Sequence, residues 1–427
     1  MIARRPLLRI AAPLIALGML AAACSDDPDE ESVEGPTTSA DESADEPVEP
    51  VDFSGRGPYA VGTVDLQVGS EHTIAVFYPV DPADVAADAE PYSYDGEDVL
   101  DPAIAALLPA ALSGEVAPED TWVGQPASPD GPFPTVLHSH GFSGNLRFAN
   151  QHNAAVASWG YVVAAVDHPE RGLEAILEQF LSPDQADASN DEYLDSDQLI
   201  AALDLLDAAA ADAGSPLDGA IDTERVAAEG HSAGGSASGT AAYDERVDLW
   251  IGQAPSTPLQ PGVDLTALTS DADGGRRLDA AALLDATQPP EVPSLIIAAE
   301  GDTVIELDRV RAVFDWLAAP KRLAVIADSG HAVFVDPCIP IREEGGLSGF
   351  VEALGLDPAT VPLVELGENG CLPDDTDPEL VTGLIDHLTV AQLALVFSDE
   401  PEVAEASLER EHLDAMFPDL LADLVVE

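Results

Sequence analysis

The sequence predicts an α/β fold, a mostly parallel sheet with helices on both faces. Three observations carry that expectation. Short apolar runs of strand length alternate with longer runs of helical spacing through most of the chain. The first two apolar runs are separated only by a turn, so that part is antiparallel. Gly230-His231-Ser232-Ala233-Gly234 stands between an apolar run and a string of small residues, where a strand would turn sharply into a helix.

Residues 1–23 read as an export signal. Arg4, Arg5 and Arg9 form a positive start, and "LIALGML" is an apolar run too short to span a bilayer comfortably. Small residues directly before Cys24, then an abrupt polar switch at Ser25-Asp26-Asp27, resemble a bacterial lipobox. Leu20 sits one place earlier than usual there, and Ala21 takes its slot. That resemblance implies a lipid on Cys24, which would become the first residue and anchor the chain at the cell surface. Simple secretion is the alternative. Residues 24–52 are acidic, contain proline and nearly lack large apolar side chains, so they are expected to be a disordered tether.

One domain is expected over residues 53–427. "YAVGTVDLQV" and "HTIAVFYPV" alternate as strands around Gly69-Ser70. Residues 81–132 hold a helical patch, "DVLDPAIAALLPAAL", within a proline- and glycine-rich insertion. "FPTVLHSHG" and "YVVAAVDH" read as strands on either side of a helix at "NAAVASWG". Residues 169–195 read as a loop over the domain. A helix follows over "SDQLIAALDLLDAAAADAG", with Ser196 as its cap and Gly214 as its stop. "ERVAAEGHS", "VDLWIGQAP", "PSLIIAAEGD" and "RLAVIADSGH" read as further strands. Residues 255–292 form another insertion. Helices are expected at "LDRVRAVFDWLAA" and "ELVTGLIDHLTVAQLALVFSD".

Charge narrows the partners. Sixteen basic residues face 80 acidic ones, a formal charge of −64. Removal of the three arginines in residues 1–23 would take this to −67. Such a surface repels nucleic acid and anionic membrane faces. It suits a salty medium, where self-repulsion is screened, although a bias of composition would give the same numbers. With Cys24 lipidated, Cys338 and Cys371 remain, and an even pair in an exported chain suggests one disulfide. Two free buried thiols are the alternative. The closed loop would hold about 34 residues and contribute on the order of 3 kcal/mol.

The chemistry centres on Ser232. A G-x-S-x-G pattern is weak by itself, and the strand–turn–helix context gives it weight. A serine hydroxyl needs a base to take its proton and an acid to orient that base. Downstream histidines are His331, His387 and His412. His331 follows a strand directly and is expected to be the base; His387, in a helical pattern, and His412, in the charged tail, are expected at the surface. Asp302 starts the loop after "SLIIAAEG" and is expected to be the acid, with Glu300 as fallback. Asp328 is too near His331 in sequence. Two N–H donors are needed for the oxyanion, expected from Ala233 and Phe142. His138 and His140 offer no third ligand at a metal-site spacing and read as loop packing, or as shaping the oxyanion turn. Neither metal nor organic cofactor is expected.

"HSHGFSGN", "GYVVAAVDHP", "GHSAGG", "AAEGDTVI" and "SGHAVFVDPC", in that order, resemble α/β-hydrolases of the bacterial platelet-activating-factor acetylhydrolase-like group, close to dienelactone-hydrolase-like and cutinase-like polyester hydrolases. The resemblance runs from about Gly57 to Asp399. It implies the α/β-hydrolase fold, with Ser232 as nucleophile, Asp302 as acid, His331 as base, and Phe142 and Ala233 as oxyanion donors. It is much less specific for substrate; the leading expectation is a carboxylesterase, a monomer, acting on short-acyl or acetylated phospholipid-like esters. A polyester is the alternative substrate, amide cleavage another acyl transfer, and a non-catalytic anchored binding module the alternative of another class. Ala233 departs from the group, which usually has Leu or Met there.

Overall fold

The computed structural model describes residues 48–68, 72–99, 114–173, 175–176, 192–261, 269–270, 277–278, 284–353, 355 and 357–427. The export signal, Cys24, the tether up to residue 47, and the greater part of the apolar run at 98–112 lie outside them. So do stretches of the 169–195 and 255–292 insertions.

The strands in chain order are β1 (Ala60–Val68), β2 (His72–Val80), β3 (Thr121–Val123), β4 (Phe133–Ser139), β5 (Val162–Val166), β6 (Ile221–His231), β7 (Leu249–Gln253), β8 (Thr269–Ser270), β9 (Arg277–Leu278), β10 (Ser294–Ala299), β11 (Lys321–Ile326) and β12 (Leu421–Val426). β8 and β9 form a small separate pair. The others make one sheet in the order β12-β11-β10-β7-β6-β4-β5-β2-β1-β3. Every pairing from β5 to β11 is parallel, while β1–β2, β2–β5 and β11–β12 are antiparallel. This is the expected mixed sheet with a parallel centre.

The central strands are apolar throughout because both faces are covered. In β10, Leu295, Ile297 and Ala299 enter one core layer and Ile296 and Ala298 the other. Helix α1 (Asn150–Ser158) and the later helix at Pro378–Phe397 pack in the first layer. Helices α2 (Glu192–Ala210), α3 (Ala233–Ala241) and α4 (Leu307–Trp316) pack in the second. Each fully buried Leu or Ile contributes about 1.5–3 kcal/mol.

After β11 come α5 (Cys338–Glu343), α6 (Ser348–Ala353), α7 (Pro362–Glu368) and α8 (Pro378–Phe397). α8 starts by rule: the Asp377 carboxylate accepts the Glu379 N–H at 3.1 Å, and Pro378 occupies the first turn. Its residues Val381, Leu384 and Leu388 are buried.

Two sequence expectations change. α2 begins at Glu192, so Ser196 lies inside the helix and is not its cap. Asp195 and Gln198 instead face buried partners, Arg171 and His168. His387 is fully buried: its Nδ1 accepts the Phe53 N–H at 3.1 Å, and its Nε2 donates to the Ser407 carbonyl at 2.9 Å. Phe53 packs edge-on against Trp159 and beside His387, so the start of the domain is stapled onto α8. The residues after Asp399 form α9 (Pro401–Ser407), α10 (Arg410–Met416) and β12. β12 covers the edge of β11, an edge that would otherwise present unpaired backbone groups. Lys321, the only lysine, joins this seam through an ion pair with Glu427 at 3.1 Å.

Cys338 and Cys371 are bonded across a separation of 33 residues. Loop-closure entropy gives this bond on the order of 3 kcal/mol. Replacing both cysteines with serine is expected to lower the melting temperature by about 4 °C, given the unfolding entropy of a domain this size. An unchanged melting curve by calorimetry would contradict that.

Candidate active site

The corner between β6 and α3 is built by close approach. Ser232 has φ 56° and ψ −117°, a conformation costly for a residue with a side chain and typical of functional sites. The chain can turn this sharply only because its neighbours are small. A Cβ on Gly234 would lie 2.0 Å from the Ser139 carbonyl oxygen, and one on Gly230 would lie 2.4 Å from the Gly234 oxygen. Ser232 N–H donates to the Gln253 carbonyl of β7 at 2.8 Å, which fixes the corner between two strands. Every residue of α3 is buried.

Asp302 and His331 follow the neighbouring parallel strands β10 and β11. His331 Nδ1 lies 2.7 Å from Asp302 Oδ2, and its Nε2 lies 2.9 Å from Ser232 Oγ. A carboxylate only accepts, so the proton sits on Nδ1, and Nε2 is left to accept from the serine hydroxyl. Asp302 Oδ1 accepts the Val304 and Ile305 N–H groups, both at 2.8 Å, which prevents the carboxylate from rotating away. The His331 ring packs on His231, centroids 4.7 Å apart, and His231 stacks on Phe334. Burial, and then the nearby His331, hold His231 well below the usual histidine range, so this wall of the site is uncharged. Glu300 is exposed, with the Asp328 N–H 3.4 Å from its Oε2, and makes no contact with His331. His412 is half-buried beside His387.

The loop after β4 abuts this corner. A Cβ on Gly141 would stand 3.1 Å from His231 Nδ1 and 3.5 Å from the Ser232 Cβ. The Gly141 carbonyl accepts from His140 Nδ1 at 2.9 Å and from the Gly144 N–H at 3.0 Å. In a trans peptide the next N–H, that of Phe142, points to the opposite side. His140 Nε2 accepts the His168 N–H at 3.1 Å, so its proton is on Nδ1. Arg171 clamps the loop from behind: its guanidinium bonds the His140 carbonyl, Asp195, and Ser139 Oγ at 2.9 Å. Burial, and then the Arg171 charge, push His140 down and His168 well down, so both stay neutral. Arg171 and Asp195 carry no local signature along the chain, because their partners are remote in it.

A second buried group lies in the layer beneath. His152 Nδ1 lies 2.5 Å from Asp386 Oδ1, and its Nε2 lies 3.1 Å from Glu229 Oε1. Two carboxylates accept from one ring, so it carries both protons. Burial alone would lower His152, but the Glu229 charge and the bonds to Asp386 and Glu229 hold it well above its usual range. Burial would likewise raise Glu229, and the His152 charge holds it well below instead. His138 Nδ1 stands 3.8 Å from Glu229 Oε2, too far for a hydrogen bond.

A nucleophile corner at the end of β6, followed by carboxylate and imidazole at the ends of β10 and β11, defines an α/β-hydrolase. Residues 53–202 match the family described as platelet-activating factor acetylhydrolase, isoform II. The match supports a platelet-activating-factor-acetylhydrolase-like α/β-hydrolase, a family whose members are serine ester hydrolases. The matched stretch carries the loop with Phe142 and ends ahead of Ser232, Asp302 and His331. No curated protein matches the chain.

Asp336, five residues after His331, is buried; its Oδ2 accepts the Gln151 N–H at 3.1 Å, and the Tyr94 hydroxyl stands 3.4 Å away. Burial pushes it up to about 7. Unfolded, it would ionise near pH ~4. Its stabilising contribution is thus complete below pH ~4 and lost as pH rises through about 7. The melting temperature of Asp336→Asn is expected to fall less between pH 5 and pH 8 than that of the wild type, by a few degrees. Parallel pH–melting curves would contradict this.

Proposed function

We propose that the chain is an exported, lipid-anchored serine carboxylic-ester hydrolase. The reading is carried by one observation, the continuous relay from Ser232 Oγ through His331 to Asp302 at 2.9 Å and 2.7 Å. Ser232 Oγ attacks the ester carbonyl while His331 Nε2 takes its proton. Asp302 steadies the imidazolium that forms. The negative oxygen of the tetrahedral intermediate accepts from the Ala233 and Phe142 amides. Its collapse breaks the C–O bond, and His331 gives the proton to the leaving alcohol. Water then attacks the acyl carbonyl as His331 takes one of its protons, and collapse breaks the bond to Ser232 Oγ, which takes that proton back from His331 as the carboxylic acid leaves.

Short-acyl and acetylated phospholipid-like esters are the proposed substrates. The acetylhydrolase match supports a small acyl group. A fluorophosphonate probe is expected to label the wild type and not Ser232→Ala. Acetyl and butyryl p-nitrophenyl esters should turn over at least ~100-fold faster than the matching anilides, since amides are the harder acyl transfer. Equal labelling of both proteins, or faster anilide cleavage, would overturn the assignment.

The anchor is proposed at Cys24, on the strength of the basic start, the apolar run, Ala21-Ala22-Ala23-Cys24 and the acidic stretch that follows. The strongly negative chain argues against a nucleic-acid partner, and the lipid on Cys24 would hold a single enzyme at the membrane despite the repulsion from an anionic face. Cells fed radiolabelled palmitate should yield labelled wild type and unlabelled Cys24→Ala. Label retained in the variant would place the lipid elsewhere.

A further inference from the structure

Asn369 lies 38 residues beyond His331 in sequence, yet its side chain meets both loops that carry the acid and the base. Its Oδ1 accepts the His331 N–H at 2.7 Å and the Thr303 N–H at 3.1 Å. Its Nδ2 donates to the Gly301 carbonyl at 3.2 Å. The partners fix the amide's orientation, because only the oxygen can accept from two N–H groups. Its backbone carbonyl accepts the Ala332 N–H at 2.8 Å. One side chain thus grips the residues on both sides of Asp302 and the backbone of His331 itself.

Asn369 is itself held. Gly370 has φ +91°, and a Cβ on Gly330 would lie 2.5 Å from the Gly370 nitrogen, so the two chain segments touch backbone to backbone. Cys371, two residues on, is bonded to Cys338. Apart from the Asp302–His331 contact, the acid and base loops meet through the Glu300 N–H to Ile326 carbonyl bond at 2.9 Å, the Gly301 N–H to Ser329 carbonyl bond at 2.8 Å and a longer contact of Glu300 with the Asp328 N–H. The amide of Asn369 adds the bonds that reach past Asp302 to Thr303 and onto His331.

We infer that Asn369 is a positioning residue: its side-chain amide sets the separation of the Asp302 and His331 loops, and the Cys338–Cys371 bond keeps it there. The inference rests on the triad proposed above. It predicts an effect on turnover rather than on substrate binding, since Asn369 reaches the reaction only through the acid and the base.

The test compares full-length Asn369→Ala and Asn369→Asp on p-nitrophenyl acetate. Aspartate keeps an oxygen that accepts both N–H groups, whereas alanine loses every side-chain bond. Asn369→Ala is expected to lower kcat by ~10- to 100-fold, the scale of a roughly 1 Å misplacement, with KM within about twofold. Asn369→Asp is expected to recover kcat to within about fivefold of wild type. Should the alanine variant not fold, Asn369→Ser, too short to reach Thr303, is expected to show the same loss. Turnover within twofold of wild type in the folded alanine or serine variant overturns the inference. Equal losses in alanine and aspartate, or a change confined to KM, overturn it too. The triad is judged separately: activity surviving in Ser232→Ala would sink the proposed nucleophile, whereas slowed fluorophosphonate labelling in Asn369→Ala leaves it standing and supports the positioning role.

Discussion

The close approach of two strand ends beneath Ser232 is the constraint on which the rest of the site depends. The carbonyl groups of Ser139 and His140 occupy the space where a side chain on residue 234 would be. That contact forces glycine at one end of the corner, small residues along α3, and a positive φ at the serine itself. Once the backbone is bent this way, the hydroxyl leaves the sheet at the C-terminal edge of its parallel strands. Asp302 and His331 reach it because β10 and β11 end at the same edge, with Ala299 paired to Ile326. The parallel centre of the sheet is thus what brings residues from three separate segments to one place.

Cations are scarce in a chain of net charge −64, and several sit where the backbone most needs them. Arg171 binds the carbonyl that precedes the Phe142 loop. Arg342 binds the carbonyls of Leu372, Pro373 and Asp375, just past the disulfide. Lys321 closes the seam between the last strand and its neighbour. Histidines complete the pattern. His140 and His168 are held neutral by burial and serve as fixed donors and acceptors around the loop, while His231, also held neutral, packs by its ring against His331 and Phe334. His152, between two carboxylates, is the reverse case. Removing His152 would leave two buried carboxylates without their shared cation, so the cluster is costly to break even if its net contribution to stability is small.

The legible part of the sequence was whatever depends on neighbours along the chain. The central strands show as apolar runs because both faces are buried, and the serine corner shows because its glycines are adjacent to it. His331 and Asp302 could be assigned because chain order is a property of this fold class. The illegible part depends on contacts between remote residues. His387 sits in a helical pattern that reads as surface, and only the arrival of Phe53 and Ser407 buries it. α2 starts four residues before Ser196, among residues with ties to Arg171 and His168. β12, in the tail after Asp399, is not expected from the sequence, because it becomes a strand by pairing with β11. Asn369 left one faint trace, its place beside Gly370 and two residues before a cysteine expected to be bridged.

Asp302 and Glu300 show why spacing alone could not choose the acid. Both are carboxylates at the end of β10, two residues apart, so either could be aimed at a histidine on β11. The backbone favours Asp302 as the proposed acid. After Ala299 the chain turns, and the N–H groups of Val304 and Ile305 converge on one oxygen of Asp302. That oxygen is held, so the other is presented to His331 in a single direction. Glu300 has no such anchor, and its longer side chain lies in solvent. A carboxylate that orients a base must itself be oriented, and here that is done by amides of its own turn before any distant contact is counted.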